Sequence, residues 1–464
     1  MLFTSAQAVE ATQGQTTGTW QIEDICFDSR QAKPGDLFVA LIGEEGNDGH
    51  QYVGKALAAG AVAAMVERPI DGIPADKLLV VKNTLQGLEA LGMYKRKQFK
   101  GKVIAVTGSA GKTSVKEGLR EVLQHFGKTY ASAKNFNNHI GVPINLCRLD
   151  LSADFAVLEV GMSRAGEIKN LVRQVQPHIG TVNSIFPMHI ENFKDLAGIA
   201  YAKAEVYEHF CDTGIAVYNA DANCADVLAQ QAKKYAGQVL SFGKKADTQL
   251  VSCTPTEHGQ AVKAKVGGTE VQFTLQQQGE AHAYNALNIL TICYALGLDV
   301  KATAAQLQHL TALEGRGKTY TLPLPQGGEF TLIDDSYTGQ PDAMVLAIEN
   351  LARWPLKSGG RRIAVLGQMA ELGEYSVPQH TRIGQEIAKH PIDTVWGVGE
   401  RIKDTLTQLP KHTAQAYFEN KDGLADKLLH DTLKPNDVLL VKGAHYSSRV
   451  FEVVQQLLAM TKKE

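Results

Sequence analysis

Short apolar runs alternate with helical periodicity along most of the chain. Val103-Ile-Ala-Val106, Ala156-Val-Leu-Glu-Val160, Ile179-Gly-Thr-Val-Asn183 and Ile215-Ala-Val-Tyr-Asn219 read as buried strands, each followed by a stretch of helical composition. That alternation predicts a parallel sheet with helices on both faces. Between Ser241 and Gln278 the pattern changes to Thr, Gln, Val and Gly, which predicts antiparallel strands inserted in or appended to this sheet. Tyr284 to Leu296 is a strongly apolar helix. Beyond Glu314-Gly-Arg-Gly317 the α/β pattern returns, with strands at Phe330–Asp334, Arg362–Leu366, Thr394–Val398 and Val438–Val441. Ahead of it all, Asp36–Leu41 and Ala61–Val66 read as strands. They flank a glycine- and acid-rich loop (Gly43 to Gly49) and a small helix ending at Ala56 to Gly60. The basic stretch Lys95 to Lys102 reads equally well as an exit linker or as a solvated helix face.

A chain of 464 residues suggests about three domains. The blocks run 1–98, 99–314 and 315–464. The fold class is α/β: a small N-terminal α/β domain, a central parallel sheet with added antiparallel strands, and a C-terminal Rossmann-like domain. Tandem α/β domains place a ligand at the strand C-termini and between domains. The formal net charge is −2, and no basic run has interleaved aromatics, so nucleic acid is not an expected partner. The scattered cysteines contain no C-x-x-C and suit a reducing compartment. No Lys or Arg precedes Arg30, which argues against a signal peptide, and no run approaches the ~20 apolar residues of a membrane span. A cytoplasmic monomer without membrane insertion is expected.

The most informative segment is Val103-Ile-Ala-Val-Thr-Gly-Ser-Ala-Gly-Lys-Thr113. Strand, glycine loop, Lys-Thr and helix follow in the order a phosphate-binding loop needs. Gly108, Ser109, Ala110, Gly111 and Ser114 would bring backbone N–H groups to phosphate oxygens, aided by the helix N-terminus. Lys112 could reach the β/γ-phosphates, and the Thr113 hydroxyl could bind Mg²⁺. Glu159 ends a buried strand, the ligand edge of such a sheet, where it could hold Mg²⁺ or simply face water. His189 follows another strand, as a second metal ligand or an ordinary hydrogen-bonding residue. Lys203 sits on a helix (Ile199 to Phe210), where lysines are usually solvated. Lys134-Asn-Phe-Asn-Asn138 is a turn whose amides, Asn138 among them, could contact phosphates. Asp334 and Asp335 end a strand and suit ribose or metal binding, or a solvated turn. Val441-Lys-Gly-Ala-His445 is an anion pocket or a plain strand–turn–helix junction. With no G-x-S-x-G and no H-E-x-x-H, nothing points to covalent catalysis by Ser or Cys.

Taken together, these segments resemble the Mur ligases, the ATP-dependent amino-acid-adding enzymes of peptidoglycan synthesis. The resemblance spans residues 25 to 450. It rests on Asp28-Ser-Arg30, Lys33-Pro-Gly-Asp-Leu-Phe-Val-Ala-Leu41 and Asp48-Gly-His50 in the first block. It continues through TGSAGKTSVKE, KNFNNHIGVP, LEVGMSRAGEI and GIAYAKAE in the second, and IDDSYTGQPDAM and RIAVLGQMAELGE in the third. The third-block text is similar to the member that adds a D-Ala-D-Ala dipeptide. Thr338-Gly339-Gln340 replaces the usual Asn-Ala-Asn, Gln368 an Asp, and Ala444-His445 a common Ser-Arg; His282 is shifted one place from the family's H-N-x-x-N element.

The resemblance implies ATP and Mg²⁺ as cofactors, with UDP-MurNAc-tripeptide and D-Ala-D-Ala as substrates. It implies that Thr113, Glu159 and His189 hold Mg²⁺, and that Lys203 is carbamylated to bind a second ion. Asn285 and Asp335 would contact the nucleoside, and Arg316 would meet the γ-phosphate as the third domain closes. Ser29, Arg30, Asp48, His50 and Tyr337 would bind substrate. The implied reaction activates a peptide carboxylate as an acyl phosphate, which an amine then displaces. The preceding ligase of the pathway lacks DDSY and carries a D-N-P-R element absent here. A folate or cyanophycin ligase would not carry DSR…PGDLFVAL, and a non-catalytic nucleotide-binding relative would not need the intact GKT, Glu159 and Lys203.

Overall fold

The computed structural model describes residues 1–43, 46–133, 136–256, 259–370 and 372–461. Three sheets follow one another along the chain. The N-terminal sheet is parallel, in the order Asp24–Cys26, Asp36–Val39, Ala63–Val66, Leu78–Val80, with a small antiparallel pair (Phe3–Thr4, Gln21–Ile22) beside it. The central sheet is built on parallel strands Thr129–Ala131, Phe155–Glu159, Lys102–Thr107, Ile179–Val182, Ile215–Asn219 and Gln238–Gly243. It ends in the antiparallel Thr248–Thr256, Gly259–Val266 and Thr269–Leu275. The C-terminal sheet orders Lys318–Pro323, Glu329–Asp335, Val438–Lys442, Arg362–Gly367, Thr394–Val398 and Ala414–Phe418, only its first pair antiparallel. Lys318–Pro323 and Ala414–Phe418 are edge strands that the apolar pattern did not reveal.

The phosphate-loop region folds as its sequence dictates. Val103 to Val106 are fully buried, and the helix Lys112–Leu123 turns Val115, Leu119 and Val122 onto the apolar helix Glu280–Ala295. Glu159 pairs in register with Val106, and Val182 with Thr107, so three strand ends converge on one edge. Gly111 has φ 80°, and an added Cβ would lie 2.2 Å from the Asn183 amide, so the turn requires glycine.

The basic stretch is mixed: Lys97, Lys100 and Lys102 are exposed, but its other two cations are not. Lys95 and Arg96 belong to the helix Thr84–Gln98 and are buried. Lys95 Nζ donates to the Leu2 carbonyl at 3.0 Å, and Arg96 donates to the carbonyls of Val175 and Gln176, both at 2.6 Å. Arg96 thereby satisfies the last carbonyls of the helix Glu167–Val175 in the central domain. Leu88 and Leu91 share an apolar cluster with Ile144 and Cys147, so the first two domains have a continuous core. Arg148 adds a forked bond to Asp24 at 2.6 and 3.0 Å.

The third domain is attached differently. Its apolar clusters contain only its own residues. The Gly315–Gly317 segment is fastened to it. Buried Asp334 accepts from the Gly315 amide at 2.7 Å and from Ser336 Oγ at 2.6 Å. The Gly317 amide donates to the Asp334 carbonyl, and the Tyr337 amide to that of Gly315. Asp334 thus staples the connecting segment to this sheet.

Candidate functional site

A cleft of about 180 Å³ lies where the central and C-terminal domains face each other. One wall is Ser109 to Thr113 with Asn137, Glu159 and Phe186 to Met188. The other is Arg316, Tyr337, Thr338 and Gln340 to Ala343. The phosphate loop is braced from behind. Ser184 O accepts from the Ser109 amide and Ser184 Oγ from that of Ala110, while Asn183 Nδ2 donates to the Ala110 carbonyl and to Asn285 Oδ1. Asn285 therefore contacts the loop through Asn183. Asn183 and Ser184 escaped sequence reading, although they directly follow the strand Ile179–Val182. Gly108 is buried, Ser114 lies at the start of the helix, and His282 and Asn285 line a smaller cavity behind it with Ser114.

Glu159 is buried, and both of its oxygens are held by neutral donors: Thr113 Oγ1 at 2.8 Å and Asn137 Nδ2 at 2.7 Å. Among the described residues no Lys or Arg pairs with it. A buried carboxylate beside a hydroxyl, lining a cleft, is a fitting donor set for a hard divalent cation. Asn138 is bonded within its own turn. Its Oδ1 accepts from Ile140 and Gly141, capping the next helix, and Asn137 is the residue that reaches Glu159. Lys134 and Asn135 lie outside the described residues.

Lys112 folds back, its Nζ donating to the carbonyls of Gly108 (2.8 Å) and Ser109 (3.4 Å). Burial pushes its amine toward neutrality, the Glu159 charge opposes this, and Arg316 reinforces it. Both cations thus converge on the cleft. Lys203 is not solvated. It is 1% exposed near the end of the helix Leu196–Ala204, and burial and then the charge of Lys112 push its amine well below the usual lysine range. His189 is half-buried, in left-handed backbone (φ 58°), one residue beyond the lining segment Phe186 to Met188.

On the far wall, the Arg316 guanidinium carbon sits 4.2 Å from the centre of the Tyr337 ring. Asp335 pairs with buried Lys442 at 2.9 Å, and Lys442 also donates to the Thr338 carbonyl at 2.9 Å. Lys442 therefore braces the 335–338 turn.

The first-domain residues form a separate group. Arg30 is exposed and pairs with Asp28 at 2.8 Å, which holds the Asp28 carboxyl down at about 2. Ser29 is buried beside them. Asp28 lines a cavity of about 490 Å³ with Phe27, Phe136 and Arg148, between the first two domains. Buried His50 spends both ring nitrogens internally, on Asp48 at 2.6 Å and on the Glu67 amide at 2.9 Å. Asp48 also accepts from Arg68.

Comparison with known proteins agrees with this architecture. Residues 106–293 match the Mur ligase middle domain and residues 323–445 the Mur ligase, glutamate ligase domain. The chain is 34% identical to the UDP-N-acetylmuramoyl-tripeptide--D-alanyl-D-alanine ligase of Escherichia coli, over 98% of both chains. A crystal structure of MurF from Acinetobacter baumannii superposes with a TM-score of 0.88 at 29% identity, covering 98% of this chain and 99% of that one. The MurF ligase of Thermotoga maritima in complex with ADP gives 0.80 at 26% identity, covering 94% and 97%.

Proposed function

We propose an amide-ligase reaction for this chain, which belongs to the Mur ligase family: ATP-dependent joining of D-Ala-D-Ala to UDP-N-acetylmuramoyl-tripeptide, a step of peptidoglycan precursor synthesis. The observation that carries this reading is buried Glu159 bonded to the half-buried Thr113 hydroxyl at the phosphate loop, facing Arg316 across a cleft shared by two domains.

The tripeptide carboxylate attacks the γ-phosphorus of ATP, and ADP leaves. The amine of the dipeptide then attacks the acyl carbonyl, phosphate leaves, and one proton is released. Phosphoryl transfer asks a protein mainly for positioning and charge neutralisation. The amides of residues 108 to 113 hold the phosphates. Lys112 leaves the carbonyls of Gly108 and Ser109 to meet them, and Arg316 approaches from the third domain. Thr113, Glu159 and His189 would hold Mg²⁺, which supplies neutralisation of phosphate charge when bound. Lys203 is a candidate for carbamylation. Its buried amine has no carboxylate partner among the described residues, and a neutral amine adds to CO₂ with loss of a proton, giving an anion. In this reading Asn285 and Asp335 would contact the nucleoside, and Ser29 and Arg30 the UDP-linked substrate, with Asp48 and His50 shaping that domain. Closure of the third domain keeps water from the acyl phosphate. A reaction drawing on ATP and a UDP-linked precursor fits the cytoplasm, and no described helix is long and apolar enough to cross a membrane.

ADP release tests the assignment. It should require both UDP-MurNAc-tripeptide and D-Ala-D-Ala, and free diaminopimelate or lysine should not replace the dipeptide. Extension of a UDP-MurNAc-dipeptide by a single diamino acid would overturn it in favour of the preceding ligase.

A further inference from the structure

Arg316 reaches the cleft from a glycine-flanked turn and is held over an aromatic face. Tyr337, whose ring lies under the guanidinium, packs in turn on a second ring, tilted 34° to it. Its centroid is 5.3 Å from the His445 ring, and His445 lies 4.1 Å from Phe451 at an interplanar angle of 21°. Tyr446 closes the edge of His445 at 5.0 Å and 89°. Phe451 opens the helix Phe451–Thr461, whose Val453, Val454 and Leu457 are buried in the C-terminal core. The column therefore runs from half-buried Phe451, at the start of a helix anchored in that core, to the guanidinium facing the phosphate loop.

Two features show that stacking holds His445 in place. Its Nδ1 is buried without a hydrogen-bond partner. The loops that carry the column are also locked together. Lys442 bonds the Thr338 carbonyl, and an added Cβ on Gly339 would lie 2.4 Å from the Ala444 amide nitrogen. The departures Thr338-Gly339-Gln340 and Ala444-His445 are thus neighbours in one structural unit.

We propose that His445 is a positioning residue for the ligation reaction. Through Tyr337 it holds the Arg316 guanidinium where the transferring phosphoryl group is met, its ring serving as a spacer on Phe451. Cation–ring and ring–ring contacts of this kind are directional, so removing the middle ring lets the upper two members drift. The inference rests on the γ-phosphate role of Arg316, and the test separates the two.

Four variants are compared by steady-state ADP release with UDP-MurNAc-tripeptide, D-Ala-D-Ala and Mg²⁺, and by melting temperature. Arg316→Ala should lower kcat roughly 100-fold, the scale of losing one charge-stabilising donor. His445→Ala should lower kcat about 10-fold without changing KM for the UDP substrate, which binds elsewhere. His445→Phe, which restores a stacking ring without imidazole chemistry, should recover to within about threefold of wild type. The double variant His445→Ala/Arg316→Ala should be no slower than Arg316→Ala alone, because both act through one guanidinium. Arg316→Ala at wild-type rate overturns the phosphate role itself. An impaired Arg316→Ala with His445→Ala at wild-type rate, with multiplicative losses in the double variant, or with His445→Phe as slow as His445→Ala overturns the positioning role alone. Should His445→Ala unfold, Tyr337→Leu removes the column from its other side and must give the same kcat loss and the same non-additivity.

Discussion

The central domain meets its two neighbours in opposite ways. Against the first domain it shares an apolar core through Leu88, Leu91, Ile144 and Cys147. Arg96 is buried there on the carbonyls of Val175 and Gln176, and Arg148 forks onto Asp24. Against the third domain it presents a cleft that holds Lys112, Glu159 and Arg316, and the two share no apolar cluster among the described residues. Burial fixes one junction, and charge left for substrate occupies the other. The first two domains are built as one body that receives the UDP substrate, and the third as a part that arrives with Arg316.

Substitutions on the two sides should fail differently. Lys112→Ala should have the largest effect, a kcat loss of roughly 10³-fold with an almost unchanged melting temperature, since the side chain serves phosphate. Ligation within about threefold of wild type would remove the phosphate loop from the mechanism. Lys203→Ala should fall by roughly 100-fold, the scale on which a charge-stabilising group acts, and should be partly restored by formate or acetate. Rescue by neither would count against a carbamate.

At the other junction the losses should be in stability. Arg96→Ala leaves two helix-terminal carbonyls unpaired, at about 1–3 kcal/mol each, and should lower the melting temperature by several degrees while kcat stays within about twofold. A large kcat loss at unchanged stability would mean that this junction also takes part in turnover. The smallest effect is titrational. His178 accepts from the Val103 amide at 2.9 Å. Burial, then Lys102 and Arg96, depress it to about 4. The folded state thus binds this proton less readily than the unfolded chain. The contribution is fully present above the unfolded value of about 6.5 and is lost as pH falls toward 4. His178→Gln keeps an acceptor and should flatten the decline in melting temperature between pH 6.5 and 4; an unchanged decline would assign it to other groups.

Much of this asymmetry was invisible in the sequence for a physical reason. The phosphate loop was legible because strand, turn and helix signals are local and consecutive. Lys95, Arg96 and Lys203 were misleading, because a charged residue on a helix looks solvated until its partners are known, and those of Arg96 lie some 80 residues away. The edge strands Lys318–Pro323 and Ala414–Phe418 hold no buried residue, and polar residues interrupt their short apolar stretches. In the Asn-rich loop the composition pointed to the right place but not to Asn137 over Asn138, which only side-chain direction decides. Asp334 and Asp335 read as a ligand pair, yet one staples the connecting segment and the other pairs with Lys442.

The central claim is that only one of the two junctions moves. Spin labels at exposed Gln86, Lys233 and Gln415, one per domain, in a Cys211→Ser background, would report both distances by pulsed electron resonance. On adding a non-hydrolysable ATP analogue, Mg²⁺ and UDP-MurNAc-tripeptide, the 233–415 distance should shift and narrow while the 86–233 distance stays fixed. A fixed 233–415 distance, or a shift of the 86–233 distance of equal size, would contradict the account.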